Sequence, residues 1–541
     1  MTLRPDRASS VDFDTTQNLY IEGDNLDVLK VLRETYLGKV KMIYIDPPYN
    51  TGNDFVYNDD FAQSKGDFEA QSGLFDEDGN QTIDPMQRNT ESNGRFHTDW
   101  LNMIYPRLKV ARDLLSDDGV IFISIDDNEI ENLRKLCNEI FGNGNFVTQF
   151  IWKKKQGGGN DSSFVVAEHE YILCFTKSSS FLHLNLDKNY KLDDSLYPFK
   201  DDKGEYGLIT LDKASIQFSQ SLVFEIKDTG GNSYFPRIVK GKQSCWRWSK
   251  AKVESQFDEL VFKNGKVYTK YYRPEGVTPR SLLIDPIYGR TESGNDDIKA
   301  LFETNPFSYP KPVLLVKHFC AIASSDDDII LDFFSGSATT AHAVMKLNAE
   351  DGGHRKFIMV QLPEVTDENS EARKAGYKNI CEIGKERIRR AGEKVKEEAG
   401  LQGQDLDIGF RVLKLDSSNM EDVYYTPEDF NSANLFNMVD NVKQDRTGED
   451  LLFQVMLDLG IELSAKIEKT EIAGKEVWSV DSGYLTACFD RDVNEATITE
   501  IAKRKPAYFV MRDSSASSDN VLDNFDQLFQ SVSPETNCRI I

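Results

Sequence analysis

The N-terminal third of the chain alternates short apolar runs with stretches of helical spacing. Asn18-Leu19-Tyr20-Ile21-Glu22 reads as a strand ending at Gly23-Asp24-Asn25, and from there Leu26, Leu29, Leu32, Tyr36 and Leu37 recur at helical intervals. Residues 40–45 (VKMIYI) form a second strand-length run, stopped by Asp46-Pro47-Pro48 because proline cannot continue a central strand. Residues 53–97 are rich in Asp, Asn, Gly and Gln, which predicts a long, mobile excursion, and a loop of that length in a compact domain is usually functional. Trp100 to Leu115 is helical in pattern and Gly119 to Ile125 is a buried-type strand. Strands separated by helices predict βαβ units and a parallel sheet.

The alternation degrades after about Phe146. Gly157-Gly158-Gly159 punctuates it, and 160–300 shows short alternating segments with a turn signal at Lys263-Asn264-Gly265-Lys266, as a β-richer unit would. The α/β pattern resumes at Ile329-Ile330-Leu331, continues through Asp332 to Ser337 and a helix from about Ala338, and reaches a strand from Lys356 to Leu362. A charged helix is predicted over roughly Glu371 to Glu398. The sheet is thus divided in the sequence, its halves flanking an insertion.

A length of 541 residues allows about three domains, and 39% apolar residues suffice for packed cores. The chain has no apolar run near the roughly 18 residues of a membrane span, and MTLRPDRASS lacks a signal-peptide core, so a soluble cytoplasmic protein is expected. Seven cysteines without a CxxC pair and six scattered histidines argue against a zinc site or a disulfide framework. The net charge of −25 counts against a polyanionic partner until it is resolved along the chain: residues 231–290 carry 12 basic against 5 acidic side chains. A polyanion would be held by the middle of the chain, with the acidic ends facing away.

The sharpest chemical signal is Asp46-Pro47-Pro48-Tyr49-Asn50-Thr51-Gly52 directly after a buried strand. In an open parallel sheet ligands bind beyond the carboxyl ends of the strands, where this loop must lie. Asp46 and the proline carbonyls offer acceptors and Tyr49 offers a flat face, a combination matched to an exocyclic amine on an aromatic base; a plain strand-ending turn uses the same residues. Asp332-Phe333-Phe334-Ser335-Gly336-Ser337 again follows a strand and opens a helix, as a loop that holds a nucleoside cofactor does. The next strand ends at Gln361-Leu362-Pro363-Glu364, with an acidic residue placed for ribose hydroxyls.

Together the Asp-Pro-Pro-Tyr loop and the downstream Phe-x-Gly loop resemble the S-adenosylmethionine-dependent amino-methyltransferases of DNA, in the β-class order of catalytic loop, insertion, cofactor loop. Gly23-Asp24-Asn25-Leu26, MIYIDPPYNTGNDFVYNDDF (42–61) and GFRVLKLDSSN (409–419) resemble the Mod subunits of type III restriction–modification systems. The resemblance implies a Rossmann-like methyltransferase fold in permuted order, with a catalytic half at 1–150, an inserted target-recognition domain at 151–305, a cofactor half at 306–400 and a C-terminal α+β dimerisation or partner domain at 401–541. It implies methylation of adenine N6 in double-stranded DNA, with N4-cytosine methylation, a catalytically silent specificity subunit, or RNA or protein amine methylation as alternatives.

By the same resemblance Asp46, Pro47, Pro48 and Tyr49 are catalytic. Asp332, Phe334, Gly336 and Glu364 hold S-adenosylmethionine, Lys311 in Tyr309-Pro310-Lys311-Pro312 closes over its methionine moiety, and Asp24 approaches its adenosine, although Asp24 is equally placed to cap the helix after it. Ser337 stands where the family often has Gly. Trp246, Arg247, Lys270, Tyr272 and Arg273 interleave aromatics with cations as a DNA-contacting surface does, and as a solvated hairpin also does. No metal is implied. A homodimer and a separate restriction (helicase and nuclease) subunit are the implied partners, since no Gly-Lys pair here is followed by Ser or Thr and the chain has no phosphate-cradling ATPase loop.

Overall fold

The computed structural model describes residues 1–52, 55–57, 86–89, 94–157, 164–215, 217–421, 442–515 and 519–541. Most of the excursion expected at 53–97 lies outside these residues. Among the described residues no helix is long and apolar enough to cross a membrane, and no group of three or more His, Cys, Asp and Glu is arranged to hold a metal ion. The chain divides into two compact units, residues 1–185 with 279–541, and residues 186–278.

The larger unit is built on a ten-stranded sheet. In chain order its strands are β1 (Thr2–Pro5), β2 (Leu19–Glu22), β3 (Val40–Ile45), β4 (Leu115–Ile125), β5 (Phe146–Lys153), β6 (His169–Thr176), β7 (Leu282–Leu283), β8 (Ile329–Asp332), β9 (Lys356–Gln361) and β10 (Arg411–Asp416). Their spatial order is β1-β10-β2-β9-β8-β3-β4-β6-β5-β7, and the six strands from β10 to β4 run parallel. The runs read as continuously apolar because both faces are covered. In β3, Ile43 and Ile45 enter one core with helices α1 (Asn25–Tyr36) and α2 (Phe96–Leu114), while Met42 and Tyr44 enter the other with α3 (Val313–Ala323), α4 (Thr339–Asp351) and α5 (Ile380–Ala399).

From β3 the chain passes through α2 to its neighbour β4, whereas from β8 it passes through α4 to β9 on the opposite side. The order of connection therefore reverses between β3 and β8, and a crevice opens beyond their carboxyl ends. β6 runs antiparallel to β4, with Tyr171 beside Ile125, so its first residues reach that same edge.

Three boundaries differ from those read in the sequence. Strands β5, β6 and β7 belong to the main sheet, so the second unit is 186–278 and not 151–305. At the other end β10 lies between β1 and β2, which makes residues 411–416 part of the main sheet and not of a separate C-terminal domain. The five-stranded sheet of residues 467–540 is grouped with that larger unit. The charged helix is two helices, Glu371–Lys374 and Ile380–Ala399, because Gly376 takes a left-handed φ of 96° and the Asn379 side chain caps the second by accepting from the Glu382 amide.

Residues 186–278 carry an antiparallel four-stranded sheet and a small core of Leu211, Ile226, Trp246, Val253, Leu260 and Val267. Trp246 is 1% exposed and its indole donates to the Phe224 carbonyl at 2.8 Å, so it is a core residue and not the surface contact its cationic neighbourhood suggested. Lys270 and Tyr272 both bind the Asp201 carboxylate, Arg273 pairs with Glu205 and Asp194, and Arg247 donates to the Thr269 hydroxyl.

Candidate active site

Asp46 leaves β3 into the crevice, and the loop after it is fixed from below. Pro48 cannot donate a backbone hydrogen bond, and its carbonyl already accepts one, from the Trp100 indole at 2.7 Å. Among the described residues none donates to the Pro47 carbonyl. Asn50 takes a left-handed φ of 59°, tolerable for asparagine, and its buried amide donates to Glu129 at 2.6 Å and accepts from Asn89 at 2.9 Å. A proline pair ahead and an anchored turn behind leave Tyr49 one narrow range of positions.

The charges around this loop form a closed set. The Lys311 ammonium lies 2.9 Å from both Asp46 oxygens, 3.5 Å from Glu170 Oε2 and 4.9 Å from the centre of the Tyr49 ring. Tyr49 donates its hydroxyl to Glu170 Oε2 at 3.1 Å, and Lys154 donates to Glu170 Oε1 at 3.1 Å. Burial works against the Lys311 ammonium, yet Asp46 and Glu170 outweigh it and hold its pKa above the ordinary lysine value. Burial would likewise raise the Glu170 carboxyl, but Lys311 and Lys154 prevail and hold it below its usual range. The Tyr49 hydroxyl, buried and facing the Asp46 and Glu170 carboxylates, is pushed well up and stays a donor.

The second loop follows β8. Gly336 has a left-handed φ of 50°, and a Cβ there would stand 3.1 Å from the Phe307 ring. Its amide donates to the Gln361 side chain at 2.7 Å, which ties the turn to the end of β9. The Asn25 side chain donates to the Phe333 carbonyl at 2.8 Å and ties it to the start of α1. Ser337, unlike Gly336 and Ala338, keeps a negative φ, so the usual glycine is not needed there, and its hydroxyl accepts from Arg387 at 2.7 Å. Asp332 accepts from the Thr340 hydroxyl and the Phe334 amide; burial, reinforced by the Asp46 carboxylate, nevertheless pushes its carboxyl up to about 7.

Asp46, Pro47, Pro48, Tyr49, Lys311, Phe334, Gly336 and Glu364 line one cavity of about 820 Å³, a volume suited to a small-molecule site. Three expected cofactor ligands differ in placement, and one of them, Asp332, is buried beneath the turn and is not among the lining residues. Asp24 caps α1, accepting from the Leu26 and Asp27 amides and pairing with Arg107, and it is not among the lining residues. Lys311 faces the Asp46 carboxylate, so its partner is the first loop. Sequence reading missed Glu170, Lys154 and Trp100. Glu170 was visible only as a charged residue opening the otherwise apolar strand HEYILCFT, and its meaning depends on the antiparallel direction of β6.

A family described as DNA methylase matches residues 40–391. The type III restriction-modification enzyme EcoPI Mod subunit of Escherichia phage P1 is 36% identical over 431 residues, 74% of this chain and 65% of that protein. The StyLTI Mod subunit of Salmonella typhimurium is 37% identical over 410 residues, 73% of this chain and 60% of that protein. The EcoP15I Mod subunit of Escherichia coli is 34% identical over 470 residues, 77% of this chain and 70% of that protein. The chain thus spans less than two thirds of the first two relatives.

Proposed function

The chain belongs to the DNA methylase family, and from that premise we propose that it methylates adenine N6 in double-stranded DNA with S-adenosylmethionine, as the modification and DNA-recognition subunit of a type III restriction–modification system. The observation that carries this reading is the single cavity shared by the Asp46–Tyr49 loop and the Phe334–Gly336 turn.

The cavity fits the cofactor on its own terms. Gly336 lets backbone approach closely where a side chain would meet Phe307, Phe334 supplies an apolar wall, and the Glu364 carboxylate stands at the end of β9 for ribose hydroxyls. S-adenosylmethionine, when bound, supplies an electrophilic methyl group on a sulfonium. The adenine amine is a weak nucleophile because its lone pair is delocalised into the ring. Asp46 and the Pro47 carbonyl would accept hydrogen bonds from its two N–H groups, which lets the nitrogen pyramidalise and turn its lone pair toward the methyl group, and one of those protons leaves to solvent once nitrogen carries the methyl group. Two fixed acceptors also stabilise the positive charge that develops on nitrogen.

A duplex adenine reaches the loop only after it is flipped out, at a cost of a few kcal/mol. Stacking on Tyr49 returns about 1–3 kcal/mol of that. Residues 186–278 are the candidate reader of DNA sequence, with Arg247, Lys270, Tyr272 and Arg273 as its contacts. In this reading the chain is a methyltransferase fold in permuted order with that unit inserted, it acts in the cytoplasm as a homodimer, and an ATP-driven restriction subunit is a separate chain.

Modified-base sequencing of DNA from cells expressing the chain tests base and site together. N6-methyladenine at one short motif is the expected result, and N4-methylcytosine or unmodified DNA overturns it.

A further inference from the structure

Lys311 stands where the proposed reaction needs a different nitrogen. Its ammonium hydrogen-bonds the Asp46 carboxylate at 2.9 Å and lies 4.9 Å from the centre of the Tyr49 ring. In the reading above, which this inference rests on, an adenine amine hydrogen-bonds that same carboxylate while its ring stacks on that same tyrosine. The two nitrogens are drawn to one carboxylate, whose Oδ2 already accepts from Lys311.

Electrostatics also oppose leaving the ammonium in place. Methyl transfer places positive charge on the amine nitrogen, and a cation fixed on Asp46 repels that charge and weakens the acceptor meant to stabilise it. Lys311 cannot retreat alone, since it is 12% exposed at its side chain and an unpaired ammonium in such surroundings is costly. A second carboxylate is already in reach: Glu170 Oε2 lies 3.5 Å from the same ammonium, beyond good hydrogen-bonding distance but within a small swing of the lysine chain. Glu170 Oε1 meanwhile keeps Lys154. Two cations and two carboxylates remain balanced wherever Lys311 stands.

We propose that Lys311 is a built-in placeholder for the target amine, and that Glu170 is a positioning residue that takes its ammonium when a flipped base arrives at Asp46. The pocket is thereby kept charged and ordered between turnovers, and the acceptor is released at the moment it is needed. Glu170 has no contact with the reacting atoms in this scheme. It acts through Lys311 and Tyr49.

The test is a double-substitution cycle on the full chain, read as transfer of tritiated methyl groups from S-adenosylmethionine to unmodified bacteriophage DNA, with cofactor affinity measured alongside. Glu170→Gln keeps an acceptor for the Tyr49 hydroxyl but removes the charge that draws Lys311 off Asp46. It is expected to lower kcat/KM about tenfold or more while the Kd for S-adenosylmethionine holds. Adding Lys311→Met removes the competitor and is expected to restore most of that loss. If Glu170 merely holds the loop, the second substitution restores nothing, and that outcome overturns the inference. So does a Lys311→Met single variant as inactive as Asp46→Ala, because a placeholder is dispensable for chemistry. A wild-type chain that transfers no label overturns the methyltransferase reading itself, whereas an active wild type with an unaffected Glu170→Gln overturns only the exchange.

Discussion

The Trp100 indole donates to the Pro48 carbonyl at 2.7 Å, joining the N-terminal part of α2 to the second proline of the Asp46–Tyr49 loop. Trp100 is fully buried, so the bond is sheltered from water. Trp100→Phe keeps most of the packing but leaves the carbonyl without its donor, a loss of about 1–3 kcal/mol. The expected result is a lowered denaturation midpoint together with a fall in methyl transfer beyond what the stability loss explains, because the loop is also less well held. Equal transfer by variant and parent at a temperature where both are folded would show that the bond does not position the loop.

Asp46→Ala is expected to abolish methyl transfer while cofactor affinity, measured calorimetrically, stays within about twofold of the parent. The carboxylate is assigned to the amine and the cofactor to the opposite side of the cavity. Lys311 keeps Glu170 as a partner, so the fold should survive. Transfer at the parental rate would remove Asp46 from the chemistry.

In the proposed function the ring and the hydroxyl of Tyr49 have separable roles. Its ring is assigned to the flipped base and its hydroxyl holds Glu170. Tyr49→Ala is expected to lower kcat/KM by a factor matching roughly 1–3 kcal/mol of stacking. Tyr49→Phe keeps the ring and should lose much less. If both variants lose equally, the hydroxyl matters and stacking does not.

Much of this arrangement was legible in the sequence because it depends on local pattern. The strands after Asn18, at 40–45, before Asp332 and before Leu362 were readable as apolar runs, and the two loops after β3 and β8 were readable from their prolines and glycine. What stayed hidden depends on topology. Glu170 enters the site through the reversed direction of β6, a strand whose membership of the main sheet no local pattern reveals, and Trp100 reaches Pro48 from 52 residues away. Trp246 looked like part of a surface patch because its neighbours include cations, yet it lies with Ser244 and Cys245 in a wholly buried segment and packs in the core of the second unit. Asp24 was open to two roles, and the amides of Leu26 and Asp27 show that it fills the cap.

The Asp332 carboxyl gives the fold a pH signature. Burial, with the Asp46 charge nearby, raises its pKa to about 7 from the ordinary 3.8. The folded state then holds a proton that the unfolded chain has lost, so this group's contribution is full below about pH 4 and is lost as pH rises through 7. Thermal midpoints measured from pH 5 to 8 are expected to fall more for the parent than for Asp332→Asn. Parallel curves would show that Asp332 is ionised throughout.

Residues 186–278 have their own small core and their own sheet, so they are a natural unit of exchange. No residue lining the cavity of the larger unit is drawn from this span. Replacing 186–278 with the corresponding segment of a relative that methylates a different site is expected to move the methylated motif, as seen by modified-base sequencing, while the modified base stays the same. Within the unit, Arg273→Ala is expected to weaken DNA binding and reduce its salt dependence by about one phosphate contact. Trp246→Ala is expected instead to destabilise the unit by about 3–5 kcal/mol, since it empties a core position. A hybrid that keeps the original motif would place sequence recognition outside 186–278, and the basic segments of the larger unit would then be the place to look for it.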